Sequence, residues 1–226
     1  MLMRCARKSV VGLILVLLVS CGGGGGNGQA NPPVNNPPAA NCLSRATFGD
    51  SITSSYILPF PVGESSEVLQ AYCTFGSHSE QLAYDFIRPF GSEVSAVRDG
   101  EVMTVVSNHP DFTTNEIFNY INVRHDDGTT AFYAHLQQGS TVVAVGDFVF
   151  AGQMIGLNGS SGTPTACDTF ILNPPRDQCA VLHFGVYATY PAVHGNDVAI
   201  NFRNADGTLD TRGGLTRGQI YTALSF

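Results

Sequence analysis

Two short stretches hold the side chains most capable of chemistry. In GSHSEQLAYDFIRPFG, His78 precedes Asp85 by seven positions, and Asp85 is wedged between Tyr84 and Phe86 in an apolar run. A carboxylate is costly to bury there unless a cation or a metal lies beside it. Arg88, three residues on, is one available partner; a metal is the other. The second stretch, CAVLHFGVY (residues 179–187), is apolar apart from His183 at its centre. A lone histidine in such a run is either a core ring with its nitrogens satisfied or a ligand. Histidine and aspartate ligands with water in the fourth position are the donor set of catalytic zinc. Two other chemistries lack their signatures. No HExxH is present, which removes the common helical zinc-protease arrangement. GSSG (residues 159–162) is not a G-x-S-x-G nucleophile elbow, and no helical pattern follows it.

The elements that must position these groups read as strands. NYINVRHDDGTTAFYAHL (119–136) is the clearest hairpin: Ile121, Val123 and His125 share one face, Asp127-Gly128 supplies the turn, and Phe132 to His135 return. GSEVSAVRDGEVMTVVSN (91–108) suggests two strands joined at Asp99-Gly100, and GDFVFAGQMIGLNGSSG (146–162) two more between glycines. Helical periodicity never holds over a convincing length. The expected fold is all-β, with antiparallel sheets packed as a sandwich or a partly open barrel and few or no helices. Residues 42–75 read as a loop-rich lead-in with a strand or two, 76–190 as the β core, and 191–226 as a polar closing segment with a final apolar stretch, to which no role is assigned.

Residues 1–20 carry Arg4, Arg7 and Lys8 before an apolar run from Val10 to Val19. This is the pattern of a signal peptide, too short for a comfortable membrane span. Leu18-Val19-Ser20-Cys21 resembles a bacterial lipobox, which makes Cys21 the expected lipidated first residue of the mature chain and a lipid the only membrane attachment. Residues 21–41 continue as GGGGGNGQANPPVNNPPAAN after that cysteine, an uncharged Gly/Pro/Asn tether that cannot repay the entropy of ordering. Its reach is roughly 25 Å as a flexible coil and about 60 Å if extended. The protein is therefore expected to be exported and lipid-anchored on the periplasmic or outer face of a bacterial membrane. Gly22 rather than aspartate after Cys21 favours the outer membrane where one exists.

Of 11 basic residues three leave with the leader, Lys8 (the only lysine) among them, so eight face 18 acidic ones in the mature chain. That balance argues against nucleic acid as a partner, and oligomeric state is not legible. Cys42, Cys73, Cys167 and Cys179 remain after Cys5 and Cys21 are set aside. An even count in an exported chain reads as disulfides, with nearest-neighbour pairing preferred among three connectivities. A zinc–cysteine site is the alternative, but no spacing resembles C-x₂-C.

Five fragments occur in a telling order: HSEQLAYDF, RPFGSEVSAVRDGEV, RHDDGTTAFYAHL, VGDFVFAGQMIGLNGSSG and LHF. In order and interval they resemble the lysostaphin- and LytM-like zinc metallopeptidases, which hydrolyse peptides of bacterial peptidoglycan. The resemblance covers residues 76–190. It implies zinc as cofactor, His78, Asp85 and His183 as metal ligands, and His135 in YAHL as the catalytic histidine beside the metal. It also implies peptidoglycan peptides as substrate. His125 is read as structural, and His109 and His194 match nothing. The first ligand spacing, H-x₆-D, is longer than the common H-x₃-D, although a long form with AYDF occurs among relatives.

One position departs from the family. Its usual H-x-H before phenylalanine is Val181-Leu182-His183 here. Residues two apart on a strand face the same way, so Val181 would point where a second catalytic histidine is expected. Valine can neither take a proton nor hydrogen-bond an oxyanion. The chain is thus expected to be a membrane-tethered zinc endopeptidase, the alternative being a weakened zinc-binding member that binds peptidoglycan or regulates. Asp168 and Asp177, in the insert between Cys167 and Cys179, are substitutes by proximity along the chain alone.

Overall fold

The computed structural model describes residues 40–74, 76–113, 116–162, 180–193 and 195–226. The leader, Cys21, the tether, Cys167, Cys179, Asp168, Asp177 and His194 lie outside the described residues. A short helix α1 (Ala40–Arg45) opens the described chain. Eleven strands follow: β1 (Ser65–Gln70), β2 (Ala83–Arg88), β3 (Glu93–Ser95), β4 (Gly100–Val106), β5 (Asn119–Arg124), β6 (Thr130–Leu136), β7 (Phe148–Val149), β8 (Met154–Leu157), β9 (Ala180–Tyr187), β10 (Ala205–Asp206) and β11 (Ile220–Ala223). The all-β antiparallel expectation holds. Nine strands form one open sheet in the order β10-β11-β1-β2-β9-β6-β5-β4-β7, and β3 pairs β8 in a small second sheet. No described helix is long and apolar enough to cross a membrane.

Alternation along the central strands divides the large sheet into two faces. Tyr84 and Phe86 of β2, Leu182, Phe184 and Val186 of β9, Ile121 and Val123 of β5, and Ala131 and Tyr133 of β6 all enter the buried cluster. The small sheet joins it through Val94 and Ile155. The residues between them, Asp85, His183 and Asn122 among them, face the other side.

The hairpin over residues 119–136 is present as read. Its turn is closed by His125 N–H to Thr129 O at 2.8 Å, with Gly128 at φ 85°. The 91–108 stretch holds two strands as read, but β3 and β4 do not pair with each other and belong to different sheets. Gly100 serves close approach rather than only a turn, because a Cβ there would lie 2.5 Å from Arg124 O on β5. The lead-in supplies one strand as read, β1, and the closing segment adds β10 and β11. β1 sits between β2 and β11, and β10 extends that edge.

The Cys42–Cys73 disulfide forms, with Cα atoms 5.6 Å apart. It ties α1 to the loop that leads into a 3₁₀ turn at Gly76–His78. The same region is clamped by Asp197, whose carboxylate pairs with Arg45 at 2.9 Å and accepts the Leu82 N–H just before β2.

Candidate metal centre

Asp85 on β2 and His183 on β9 are directly opposed. Oδ1 of Asp85 and Nδ1 of His183 lie 2.9 Å apart. His78 reaches the same point from the 3₁₀ turn, its Nε2 lying 3.2 Å from Asp85 Oδ1 and 3.1 Å from His183 Nδ1. The ring of His78 is fully buried, and its Nδ1–H donates to the Ala71 carbonyl at 3.3 Å. That bond fixes the tautomer and leaves the Nε2 lone pair facing Asp85 and His183. Three donor atoms thus converge from three segments. They are the group among the described residues that could hold a metal ion.

The chemistry of this triangle favours a cation at its centre. Burial opposes ionisation of Asp85, but the two imidazoles outweigh it and hold the carboxyl far below the usual carboxylate range. Arg88, the other partner open to it on sequence, turns away: it pairs with Glu64 and lies 4.6 Å from the Phe60 ring centroid. Tetrahedral zinc with donors at about 2.0–2.1 Å would space those donors roughly 3.3 Å apart. The observed 2.9–3.2 Å separations fit that demand.

His135 stands next to this triangle, its ring centroid 6.3 Å from that of His183. Simple alternation would send it the other way, because Tyr133 two residues earlier is in the core. A β-bulge reverses the parity. Asn119 pairs with Leu136 and Tyr120 with Ala134, leaving His135 as the extra residue, at φ 64°. Leu136 thereby enters the core while His135 turns to the metal side. Its Nδ1–H donates to Ser161 O at 2.8 Å, leaving Nε2 as an acceptor. Burial, and then the nearby His183, lower its pKa, so the ring is neutral at neutral pH.

Val181 is buried and faces the same way as His183, paired with Ile87 rather than with any polar group. Among the described residues no other imidazole joins His135 beside the triangle. His125 sits elsewhere. Its Nδ1–H donates to Asp99 O at 2.8 Å, its ring packs edge-on against Tyr56, and burial lowers its pKa, which agrees with a structural role. The His109 backbone is held by the Asn119 side chain. A separate open cleft of about 950 Å³ runs past Arg98, Glu101, Arg124 and Phe148. It holds none of the three donors, and Arg98 and Arg124 are already paired with acidic residues.

Reasoning on sequence missed the residues that aim these groups. Ala71 and Ser161 act through backbone carbonyls, which residue type cannot advertise. Asp111 joins two loops beside His135, accepting from the N–H groups of Gln138 and Ser160, each at 2.9 Å.

The profile of Peptidase family M23 matches residues 79–199. No curated protein matches the sequence. Three solved structures resemble the fold at low identity. The catalytic domain of lysostaphin from Staphylococcus simulans is 21% identical, with 59% of this chain and 86% of that one covered and a TM-score of 0.40. The catalytic domain of the prophage-encoded protein EnpA from Enterococcus faecalis, as a point mutant, is 21% identical over 62% of this chain and 93% of that one, with a TM-score of 0.42. A zinc-containing peptidase from Vibrio cholerae is 24% identical over 64% of this chain, with a TM-score of 0.39, and the match spans only 39% of that longer protein.

Proposed function

Because this chain belongs to peptidase family M23, we propose that it is a zinc metalloendopeptidase that hydrolyses peptide bonds of bacterial peptidoglycan. The observation that carries the reading is the convergence of His78, Asp85 and His183 within 3.2 Å of one another, with His135 alongside.

His78 Nε2, Asp85 Oδ1 and His183 Nδ1 would hold the metal. When bound, zinc supplies Lewis acidity that acidifies water and polarises a carbonyl. The chain's own residues handle protons and orientation. His135, neutral and anchored by Ser161, offers Nε2 to accept a proton and return it to the leaving amine. Asp85 stays ionised and sets the charge of the ligand cage at −1. The Ala71 carbonyl keeps His78 in the tautomer that can ligate.

A second reading rests on Val181. With an apolar side chain paired to Ile87 at that position, the protein binds metal and wall peptide but turns over slowly, as a recognition or regulatory module. The two readings separate on incubating zinc-loaded protein with purified peptidoglycan and counting new amino termini beside a His135→Ala control. New termini from the wild type alone support the peptidase. Retained zinc and peptidoglycan binding without new termini support the module.

The same reading includes a cellular setting: a domain held on a lipid anchor outside the cytoplasm, with the outer membrane favoured. The leader, the lipobox-like Leu18 to Cys21 and the Gly/Pro/Asn tether support it. Labelling with a fatty-acid analogue in cells, lost in Cys21→Ser, tests this.

A further inference from the structure

The strand register extends the metal-side face into a second row of side chains next to the proposed ligands. In the first row Tyr120, Ala134, His183 and Asp85 follow one another across β5, β6, β9 and β2. Two residues along each strand, the next row is Thr104, Asn122, Phe132, Gly185 and Ala83. Phe132 joins the rows, its ring centroid 6.0 Å from His183 and 6.1 Å from Tyr187.

Two polar atoms in and over this row have no hydrogen-bond partner among the described residues. Asn122 is only 5% exposed, yet its Oδ1 is buried without a hydrogen-bond partner. Such an acceptor is destabilising unless something supplies a donor. Its neighbours in the row are Thr104, whose hydroxyl is within 2.9 Å of the Tyr190 hydroxyl, and the apolar Phe132. Tyr187 is the second group. It follows Gly185 on the same face of β9, and its ring folds back over that glycine. A Cβ on Gly185 would lie 3.5 Å from the ring and 3.7 Å from the hydroxyl oxygen. The hydroxyl thus lies on the His183 side of its own backbone, where it makes no hydrogen bond to the described residues. A peptide chain offers the complement of this pair, an N–H for a bare acceptor and a carbonyl for a bare donor.

We propose that Asn122 and Tyr187, on either side of Phe132, form a subsite that grips the backbone of the substrate peptide beside the metal donors. Asn122 Oδ1 accepts from a substrate N–H, the Tyr187 hydroxyl donates to a substrate carbonyl, and the Phe132 ring packs between them. Asn122 and Gly185 are two strand spacings apart, roughly 10 Å. That distance is about three residues of extended chain, so the two bonds fall on different peptide groups and select an extended substrate rather than a single residue. This inference rests on the peptidase reading and adds the residues that hold the substrate.

The test uses full-length, zinc-loaded protein carrying His135→Ala, so that peptide is bound without turnover. Calorimetry measures its affinity for stem peptides released from purified peptidoglycan by an amidase. Adding Asn122→Leu or Tyr187→Phe is expected to weaken binding about tenfold each, the worth of one hydrogen bond, with zinc content unchanged. Asn122→Leu removes an unsatisfied buried acceptor, so the thermal midpoint should hold or rise while affinity falls. A purely structural asparagine would lower the midpoint and leave affinity alone. Equal affinity in parent and variants overturns the subsite while leaving the peptidase reading intact. A zinc-loaded parent that binds no wall peptide overturns both.

Discussion

Asp85 and His183 are cross-strand partners on β2 and β9, and their side-chain atoms meet at 2.9 Å on the face of the sheet turned away from the core. Register alone therefore builds two-thirds of the donor triangle, and only His78 has to be delivered by a turn. We expect about one zinc ion per chain by elemental analysis. His78→Ala and Asp85→Ala should each bring the content close to zero while the circular dichroism of the sheet is kept. A chain that stays metal-free when zinc is added at neutral pH contradicts the centre altogether.

His135 owes its position to a bulge with a left-handed backbone. His135→Ala should cut kcat by about 10²–10⁴ with zinc retained. His135→Gly should be equally inactive yet more stable than the alanine variant by about 1 kcal/mol, because glycine adopts that conformation without strain. Matching urea midpoints for the two variants would mean that the bulge carries no backbone cost.

Gly159 packs against the same bulge, donating its N–H to His135 O at 3.1 Å, and a Cβ there would lie 2.2 Å from Gln137 N. Since backbone, not a flexible side chain, blocks that space, Gly159→Ala has to displace the end of β6. The expected outcome is at least a tenfold loss of kcat, in keeping with the sensitivity of catalysis to roughly 1 Å misplacements, with the zinc content of the wild type. Unchanged kcat would show that β6 can yield without moving His135.

Val181→His places an imidazole on the same face as His183, paired with Ile87. If Val181 limits turnover, hydrolysis of wall peptides should rise by up to about 10²–10⁴. The variant should also lose stability, because a polar ring replaces a well-buried side chain. Equal activity in variant and wild type would mean that another group already supplies the proton transfer.

Burial lowers the pKa of His125 in the folded protein. Its unfolded counterpart titrates near pH 6.5, so between the two values the unfolded chain binds more protons. The stability contributed by neutral His125 is therefore complete above about pH 6.5 and declines as the pH falls towards the folded value. Urea midpoints of metal-free protein between pH 7.5 and 5.5 should drop more steeply for wild type than for His125→Gln. Parallel slopes would count against this assignment.

The site residues are named by the family resemblance, and local rules account for how part of the site is oriented. The alternation Leu182, Phe184, Val186 against Val181, His183, Gly185 follows from a period of two, and so does the outward face of Asp85 between Tyr84 and Phe86. The DG turn of the 119–136 hairpin is equally local. The resemblance names His135 and His78, but how they are placed is not local: a bulge that breaks the period sets His135, and a 3₁₀ turn held to a carbonyl sets His78. The partners of β3 and β4, far along the chain, are equally out of local reach. Asn122 and Tyr187 look like ordinary strand residues until the register puts them beside Phe132.

The Cys42–Cys73 bridge has a mechanical consequence. Any pull exerted from residues before 40 enters the folded chain at α1 and crosses at Cys42 to Cys73. The stretch between them, β1 included, is short-circuited and carries no load. Force arrives five residues from His78, where Cys73 N–H is bonded to Gln81 O at 2.9 Å, so the loop bearing that histidine is the first part of the fold to feel traction.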